Sequence, residues 1–214
     1  MKNIAVVFGG FSSEHEVSVK SGKFIYENLK DNQSLNVYRI CISKETNYVI
    51  YDNNKYDLDY TNLSFNINGK KINLDGIFNI IHGEPGENGD LANILEKNNI
   101  PQTGCNSFVS DLTFDKKRYI DFVNKLDIPS SKHILLTSEN QFDLEKIMSE
   151  INIPCIVKPN NGGSSIGVSK VNHIYDLENK IKIAFKECNE VLIEDFLFGK
   201  EVSVGVILSL IHIS

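Results

Sequence analysis

The stretch "NIAVVFGGFSSEHEVS", residues 3–18, decides how the beginning of this 214-residue chain is expected to fold. Its five consecutive apolar residues stop at Gly9 and Gly10, which is the pattern of a buried strand that ends in a turn. Helical spacing follows in the apolar residues Val17, Val19, Phe24, Ile25 and Leu29. In an open α/β sheet, the connection from a strand to the next helix borders the ligand-binding crevice. Residues 9–18 are therefore predicted to lie beside such a crevice.

Glu14 is the residue of this connection that points to a class of ligand. It stands with Glu16 at the start of the predicted helix, where both carboxylates could simply complement the helix dipole. The functional interpretation is that Glu14 receives the ammonium group of an amino acid, while nearby amides receive its carboxylate. The stretch lacks the GxGxxG spacing, which argues against a dinucleotide site.

Alternating strand and helix patterns continue to residue 104. Strands are predicted at "NVYRICIS" (36–43), "DGIFNIIHG" (75–83) and "IPQTG" (100–104), and a helix at "GDLANILEKNN" (89–99). Between them, the segment 45–74 is predicted to hold a small hairpin with Asn68-Gly69 as its turn. This order predicts an open, largely parallel sheet with helices on its faces, which is a Rossmann-like α/β domain.

After residue 104 the pattern changes. Helices are predicted at 107–127, 143–151 and 174–187, and strands at 132–137, 154–159, 167–171, 190–197 and 201–208. Strands joined by a short loop pair antiparallel. Residues 105–214 are therefore predicted to form a second domain of the α+β class.

The stretch "HGEPGENGD", residues 82–90, follows a buried strand. Its glycines allow a ligand to approach the backbone closely. His82 is either an ordinary turn residue or a binding residue at the same sheet edge as Glu14.

The stretch "KPNNGGSSIGVSK", residues 158–170, places a loop rich in glycine and serine between two predicted strands. It is not a Walker loop, because no GK[ST] follows at the required spacing. Such a loop can fold over nucleotide phosphates with its N–H groups and hydroxyls as donors, and Lys158 would add a compact positive charge. A plain hairpin turn beside a surface lysine is the alternative.

The stretch "EVLIEDFLFGKEVSV", residues 190–204, combines an apolar strand with flanking carboxylates. Its backbone could meet an adenine edge while Phe196 and Leu197 cover the ring and a carboxylate accepts the ribose hydroxyls. A core strand with solvated ends is the alternative. Lys116, within "TFDKKRY" (113–119), is by its pattern a lysine on the surface of a helix.

Composition excludes several classes of protein. A net charge of −6 provides no broad basic surface for nucleic acid. The four cysteines are widely separated, which predicts neither a zinc site nor a disulfide framework and favours a reducing, cytoplasmic compartment. No apolar segment reaches about 18 residues, so no membrane span is predicted.

In type, order and spacing, these stretches resemble those of the D-alanine–D-alanine ligases, a family of ATP-grasp enzymes. The resemblance runs from residue 4 to about 207, and its most specific part is the pair "GGFSSEHEVS" (9–18) and "HGEPGENG" (82–89). It implies that residues 1–104 form the N-terminal domain of such a ligase and residues 105–214 an incomplete ATP-grasp domain. The implied activity is ATP-dependent joining of two D-alanines through a D-alanyl phosphate, for peptidoglycan synthesis in the cytoplasm.

The resemblance also implies roles for particular residues. Glu14 and Ser164 are the implied catalytic residues: Glu14 would hold the ammonium of the first D-alanine, and Ser164 would hydrogen-bond near it. His82 would lie beside that substrate's carboxylate. The implied ATP-binding residues are Lys116, Lys158, Gly163, Ser164, Ser165, Glu194, Phe196, Leu197 and Glu201. Asp195 stands where many relatives carry lysine, and Ala92 where glutamine is commoner.

The metal site is expected outside this sequence. Mg²⁺ (or Mn²⁺) needs carboxylates beside the phosphates, and no convincing acidic cluster is found, so the metal ligands are expected beyond residue 214. The end "LSLIHIS" (208–214) departs from the family pattern, and we interpret the chain as a truncated sequence whose tail from about residue 208 is not native. We expect the chain alone to lack ligase activity and the complete protein to be a homodimer.

Three alternatives stay open. The second substrate could be D-lactate or D-serine. The protein could be another ATP-grasp carboxylate–amine ligase, against which the paired motifs 9–18 and 82–89 argue. The chain could also be a nucleotide- or amino-acid-binding module without catalysis, which the missing metal ligands favour for this chain alone.

Overall fold

The computed structural model describes residues 1–139, 141–163 and 165–204. The first part of the chain contains seven strands and two helices within these residues. They are β1 (Lys2–Gly9), α1 (His15–Leu29), β2 (Leu35–Ile42), β3 (Tyr48–Tyr51), β4 (Asn54–Asp57), β5 (Phe65–Ile67), β6 (Lys70–Ile72), β7 (Gly76–Asn79) and α2 (Asp90–Lys97).

Five of these strands form a mixed sheet in the order β4-β3-β2-β1-β7. The central pairs β1–β2 and β1–β7 are parallel, as the alternating strand and helix pattern predicts. Strands β3 and β4 extend the sheet antiparallel, through a turn in which Asp52 and Asn53 have φ values of 47° and 60°. Positive φ at both central residues is the requirement of a two-residue hairpin turn.

The insertion between residues 45 and 74 therefore holds two hairpins, where the sequence predicted one. The predicted hairpin is confirmed, since β5 and β6 pair around Asn68 and Gly69 with φ values of 51° and 78°. The strand predicted at 100–104 is reduced to one parallel bridge, between Ile77 and Gln102. Pro101 lacks an N–H, so its carbonyl alone joins the sheet by accepting from the Ile77 N–H at 2.8 Å.

Strand β1 lies between β2 and β7 in this sheet and is buried on both faces. Ala5 and Val7 belong to a core cluster with the β2 residues Tyr38, Ile40 and Ile42. The alternate residues Val6 and Phe8 are also buried, and Phe8 faces α1. A continuous apolar run is what a central parallel strand requires.

The second part of the chain is an antiparallel sheet with helices packed on it. Its elements are α3 (Ser107–Phe114), α4 (Lys116–Asn124), β8 (His133–Leu136), α5 (Leu144–Glu150), β9 (Cys155–Pro159), β10 (Ser169–Val171), α6 (Ile174–Phe185) and β11 (Val191–Asp195). The strand order is β10-β9-β11-β8, and all three pairings are antiparallel. The predicted α+β character is confirmed, while the domain boundary near residue 105 stays a prediction.

Helices cover one face of this second sheet. Val157 of β9 and Ile193 of β11 are buried in a cluster with Leu177 and Ile181 of α6. Side chains alternate along a strand, so Lys158, the neighbour of Val157, belongs to the opposite face. That opposite face carries the polar residues of the site.

Two predictions about this part are wrong in detail. The single helix predicted at 107–127 is two helices, because Asp115 has an extended ψ of 103° and its side chain caps α4 by accepting from the Arg118 N–H. The strand predicted at 201–208 is absent over residues 201–204, which have no regular secondary structure. The remainder of that predicted strand lies outside the described residues.

We expect Gly22→Val to lower the free energy of unfolding by about 1–3 kcal/mol, because it overpacks the contact between α1 and β1. A Cβ at Gly22 would lie 2.7 Å from the Cβ of Phe8. Urea unfolding followed by circular dichroism measures the change.

Lys23→Val is the matched control, since it adds the same side chain at an exposed position of the same helix. Equal destabilisation by both substitutions would show that helix propensity, and not the close contact, sets the cost.

Candidate amino-acid and nucleotide site

The connection after β1 is held against two neighbouring segments. Gly10 N–H donates to the Ile42 carbonyl and Phe11 N–H donates to the Glu84 carbonyl, both at 2.7 Å. Gly9 and Gly10 have φ values of 104° and 99°, and a Cβ at Gly9 would lie 2.3 Å from the Ile42 oxygen. Only glycine tolerates this combination of conformation and space.

This turn places Glu14 in a buried position directly before α1. Glu14 is 6% exposed, and its N–H donates to Ser12 Oγ at 3.2 Å. Ser12 Oγ in turn donates to the His82 carbonyl at 2.8 Å. The two motifs at 9–18 and 82–90 therefore meet at the carboxyl edge of the sheet, as the sequence predicts.

The glycine-rich loop of the second part reaches the same place. A Cβ built on Gly163 would lie 3.4 Å from Oε2 of Glu14. Both residues line a cavity of about 710 Å³, together with Ser12, Gly83 and Asn161. The amino-acid motif and the proposed phosphate loop thus share one cavity, although about 150 residues separate them in sequence.

The loop itself is a series of tight turns. Gly162, Ser165 and Gly167 have φ values of 101°, 59° and 71°. Ile166 N–H donates to the Gly163 carbonyl and Val168 N–H to the Ser165 carbonyl, both at 3.2 Å. Ser164, the predicted partner of Glu14, lies outside the described residues.

Lys116 points into the site, so the alternative of a helix-surface lysine is wrong. Its Nζ donates to the carbonyls of Asn160 at 3.2 Å and Gly162 at 2.8 Å. Burial and the nearby Lys158 ammonium lower the pKa of Lys116.

Lys158 is paired with Glu194, for which the family resemblance implies a role in ATP binding. Its Nζ lies 2.5 Å from Oε1 of Glu194, and both side chains are largely buried, at 20% and 15% exposed. Ser131 Oγ also donates to Glu194, at 3.1 Å. The pairing follows from the register of β9 and β11, in which Lys158 stands opposite Leu192 and Glu194 opposite Ile156. No local sequence pattern contains that register.

The residues predicted to contact adenine and ribose continue from the end of β11. Phe196 packs under the ammonium of Lys170, whose Nζ is 3.5 Å from the ring centroid. Leu197 is 68% exposed, and Glu201 is exposed as well. Phe196 and Leu197 thus follow β11 directly, whereas Glu201 lies further along a segment without regular structure.

His82 lies next to the cavity of Glu14. Its carbonyl accepts from Ser12 Oγ, and the residue lines a neighbouring cavity of about 500 Å³ with Lys20, Phe24 and Glu87. Gly83 and Glu84, which follow it, line the cavity of Glu14. The role of His82 beside a substrate carboxylate stays a prediction.

Asn160 and Glu190 are site residues that sequence reasoning missed. Asn160 is fully buried, and its Nδ2 donates to Glu190 Oε2 at 2.8 Å. The position of Asn160, directly after Lys158-Pro159 at the end of an apolar strand, was the available signal.

Within residues 1–139, 141–163 and 165–204, no group of three or more His, Cys, Asp or Glu side chains is arranged to hold a metal ion. The same part of the chain has no helix long and apolar enough to cross a membrane.

The mixed sheet, the antiparallel sheet and the glycine-rich loop between β9 and β10 define the class of protein as one with the ATP-grasp ligase fold. The family described as D-ala D-ala ligase N-terminus matches residues 3–105, and the one described as D-ala D-ala ligase C-terminus matches residues 122–210. The chain belongs to the D-alanine–D-alanine ligase family.

Individual relatives agree with this assignment. The chain is 40% identical over 208 residues to the D-alanine–D-alanine ligase of Flavobacterium johnsoniae, a match covering 97% of this chain and 64% of that protein. It is 41% identical over 205 residues to the ligase of Flavobacterium psychrophilum, covering 96% and 62%. The chain thus spans less than two thirds of the length of these relatives.

Solved structures show the same fold. The D-alanine–D-alanine ligase of Helicobacter pylori matches with a TM-score of 0.79 and 31% identity, covering 93% of this chain and 65% of that one. The VanG D-Ala:D-Ser ligase of Enterococcus faecalis matches with a TM-score of 0.78 and 28% identity, covering 92% and 63%.

We expect Lys158→Met to lower the free energy of unfolding by roughly 2 kcal/mol, because it leaves the Glu194 carboxylate largely buried without its cation. The double substitution Lys158→Met with Glu194→Leu should recover at least half of that loss, since no unpaired charge remains. Urea unfolding measures both.

Lys182→Met is the matched control, because Lys182 forms a similar 2.7 Å pair with Glu178 that is half exposed. It should change stability little. If the double substitution is no more stable than Lys158→Met alone, the two side chains do not depend on each other.

Proposed function

We propose that this chain supplies the first-substrate and nucleotide-phosphate parts of an ATP-dependent ligase that joins two D-alanines. The observation that carries the proposal is the meeting of the buried Glu14 carboxylate with Gly163 of the glycine loop in one cavity. An amino acid held by Glu14 would lie beside the loop that covers the ATP phosphates. Phosphoryl transfer depends mainly on such positioning and on charge stabilisation.

Glu14 is the proposed partner of the substrate ammonium. A carboxylate that is 6% exposed interacts with a cation more strongly than one in bulk water. Ser164, between Gly163 and Ser165, is the proposed residue that hydrogen-bonds beside Glu14, and His82 is the proposed neighbour of the substrate carboxylate. Family membership supports all three roles.

Lys116 and Lys158 are the proposed partners of the ATP phosphates, with Gly163, Ser164 and Ser165 of the loop. In the structure both ammonium groups already have oxygen partners, the carbonyls of Asn160 and Gly162 for Lys116 and the carboxylate of Glu194 for Lys158. Phosphate oxygens would replace or join these acceptors. Glu194, Phe196, Leu197 and Glu201 are the proposed adenine and ribose residues.

The proposed reaction moves the terminal phosphoryl group of ATP to the carboxylate of one D-alanine. The amine of the second D-alanine then displaces phosphate and forms the peptide bond. In this scheme Glu14 fixes the ammonium end of the first substrate, and the two lysines neutralise the phosphates. Closure of the glycine loop over the cavity would exclude water from the acyl phosphate.

D-alanine is the proposed second substrate, because the curated relatives compared above are D-alanine–D-alanine ligases. The D-Ala:D-Ser ligase among the structural relatives makes D-serine the specific competitor. We further propose a cytoplasmic enzyme that acts as a homodimer. ADP release with D-alanine, D-serine and D-lactate, assayed on the protein of the complete reading frame, decides the substrate.

We expect Glu14→Gln in that protein to raise the KM for the first D-alanine at least about tenfold, because the ammonium loses a charged partner. The KM for ATP should change less than about threefold. Ser164→Ala should show the same selective loss to a smaller degree. Steady-state ADP release at varied D-alanine and ATP measures both constants.

Lys182→Met serves here as a control for general damage, because it alters only a surface ion pair. A loss of ATP affinity in Glu14→Gln as large as the loss for D-alanine would contradict the division of the cavity into two subsites.

A further inference from the structure

Asn160 has no exposed surface, and it directly follows β9 at the start of the glycine-rich loop. Its side chain makes three hydrogen bonds to three different residues. Nδ2 donates to Asp115 Oδ1 at 3.0 Å and to Glu190 Oε2 at 2.8 Å, and Oδ1 accepts from the Lys117 N–H at 2.9 Å. The side chain thus joins the α3–α4 break, the start of the glycine loop and the residue before β11.

The chemistry of these partners requires an amide. Two carboxylates on one side need donors, and a backbone N–H on the other side needs an acceptor. Aspartate would bring a third carboxylate to the two already there, and an apolar side chain would take a donor from both carboxylates and the acceptor from the Lys117 N–H. The hydrogen-bond partners at position 160, and not the flexibility of the loop, therefore favour asparagine there.

The backbone of Asn160 extends the same junction to Lys116. The Asn160 N–H donates to the Glu190 carbonyl at 2.9 Å, and the Asn160 carbonyl accepts from the Lys116 N–H at 3.1 Å. The same carbonyl accepts from Lys116 Nζ at 3.2 Å. The backbone N–H and the side-chain ammonium of Lys116 thus both donate to the carbonyl of one buried residue, Asn160.

We propose that Asn160 is a positioning residue, which holds the Lys116 ammonium and the start of the glycine loop in place for the phosphates of a nucleotide. A lysine side chain has several rotatable bonds, and fixing it before the ligand arrives removes an entropic cost from binding. The inference rests on the proposed function, because it takes the phosphates of ATP as the ligand of Lys116. Asn160 itself touches no phosphate in this scheme.

The first test measures the position of Lys116 without any nucleotide. The Lys116 amine is surrounded by Lys158, Cys188, Asp115 and Glu194, and its pKa is lowered by burial first and by Lys158 second. Asn160→Ala should free the amine toward solvent and away from Lys158, and both changes raise its pKa. NMR titration of labelled lysine side chains measures this, with the Lys116 signal assigned through Lys116→Arg.

The second test measures the consequence for nucleotide binding by calorimetry. Asn160→Ala should weaken ATP binding about tenfold and adenosine binding less than about twofold, because only ATP carries the phosphates. In a Lys116→Ala background, Asn160→Ala should weaken ATP binding clearly less than tenfold, since one of the two groups that it positions is already gone.

Two further variants keep the tests decisive. Asn160→Ser retains one hydroxyl that donates and accepts, so it should shift both readouts in the same direction by less, and it replaces Asn160→Ala if that variant does not fold. Asn62→Ala is the matched control, because Asn62 also donates to a carboxylate and accepts from an N–H, in the remote turn before β5. It should move neither readout.

The outcomes separate this inference from the proposed function. An unmoved Lys116 pKa in Asn160→Ala, or equal losses for ATP and adenosine, would overturn the positioning role. A raised Lys116 pKa in Asn160→Ala, together with no ATP binding by the unsubstituted protein of the complete reading frame, would support the positioning of Lys116 and overturn the nucleotide function.

Discussion

The site depends on how the chain leaves β1. Gly9 and Gly10 press against Ile42 and Ile81 so closely that a Cβ at either glycine would lie 2.7 Å or less from an atom of its neighbour. The chain therefore turns at the carboxyl edge of the sheet and cannot continue the strand. This turn brings Glu14 to a buried position before α1, beside the loop that begins at His82. A buried carboxylate lowers the stability of a protein unless it has polar partners. The position of Glu14 therefore constrains how the N-terminal part can pack.

The second part of the chain supplies charge of the opposite sign. Lys116 begins a helix, and its ammonium donates to the Gly162 carbonyl of the glycine-rich loop. Lys158 lies near the end of β9 and pairs with Glu194. The antiparallel sheet can bear these charges because α5 and α6 cover its other face. Gly162 and Gly163 of the loop line the cavity of Glu14, so in the proposed function the amino acid would lie beside the loop that covers the phosphates.

The strands and helices with regular apolar patterns could be predicted from sequence. The central strand β1, the helix α1 and the antiparallel pair β9–β10 follow from local spacing. The break between α3 and α4 at Asp115 could also have been predicted, because aspartate is a preferred N-cap residue. The apolar spacing continues across Asp115, however, and favours a single helix. The Lys158–Glu194 pair and the contacts of Asn160 could not be predicted, because they depend on strand register and on segments up to 45 residues apart.

The central proposal is that an amino-acid subsite at Glu14 lies beside a phosphate subsite formed by the glycine-rich loop, Lys116 and Lys158. A crystal structure of the protein with D-alanine and a non-hydrolysable ATP analogue tests it most directly. We expect the D-alanine ammonium within about 3 Å of a Glu14 oxygen, and phosphate oxygens within about 3 Å of both lysine Nζ atoms. D-alanine bound away from Glu14, or a nucleotide bound on the helix-covered face of the second sheet, would contradict it.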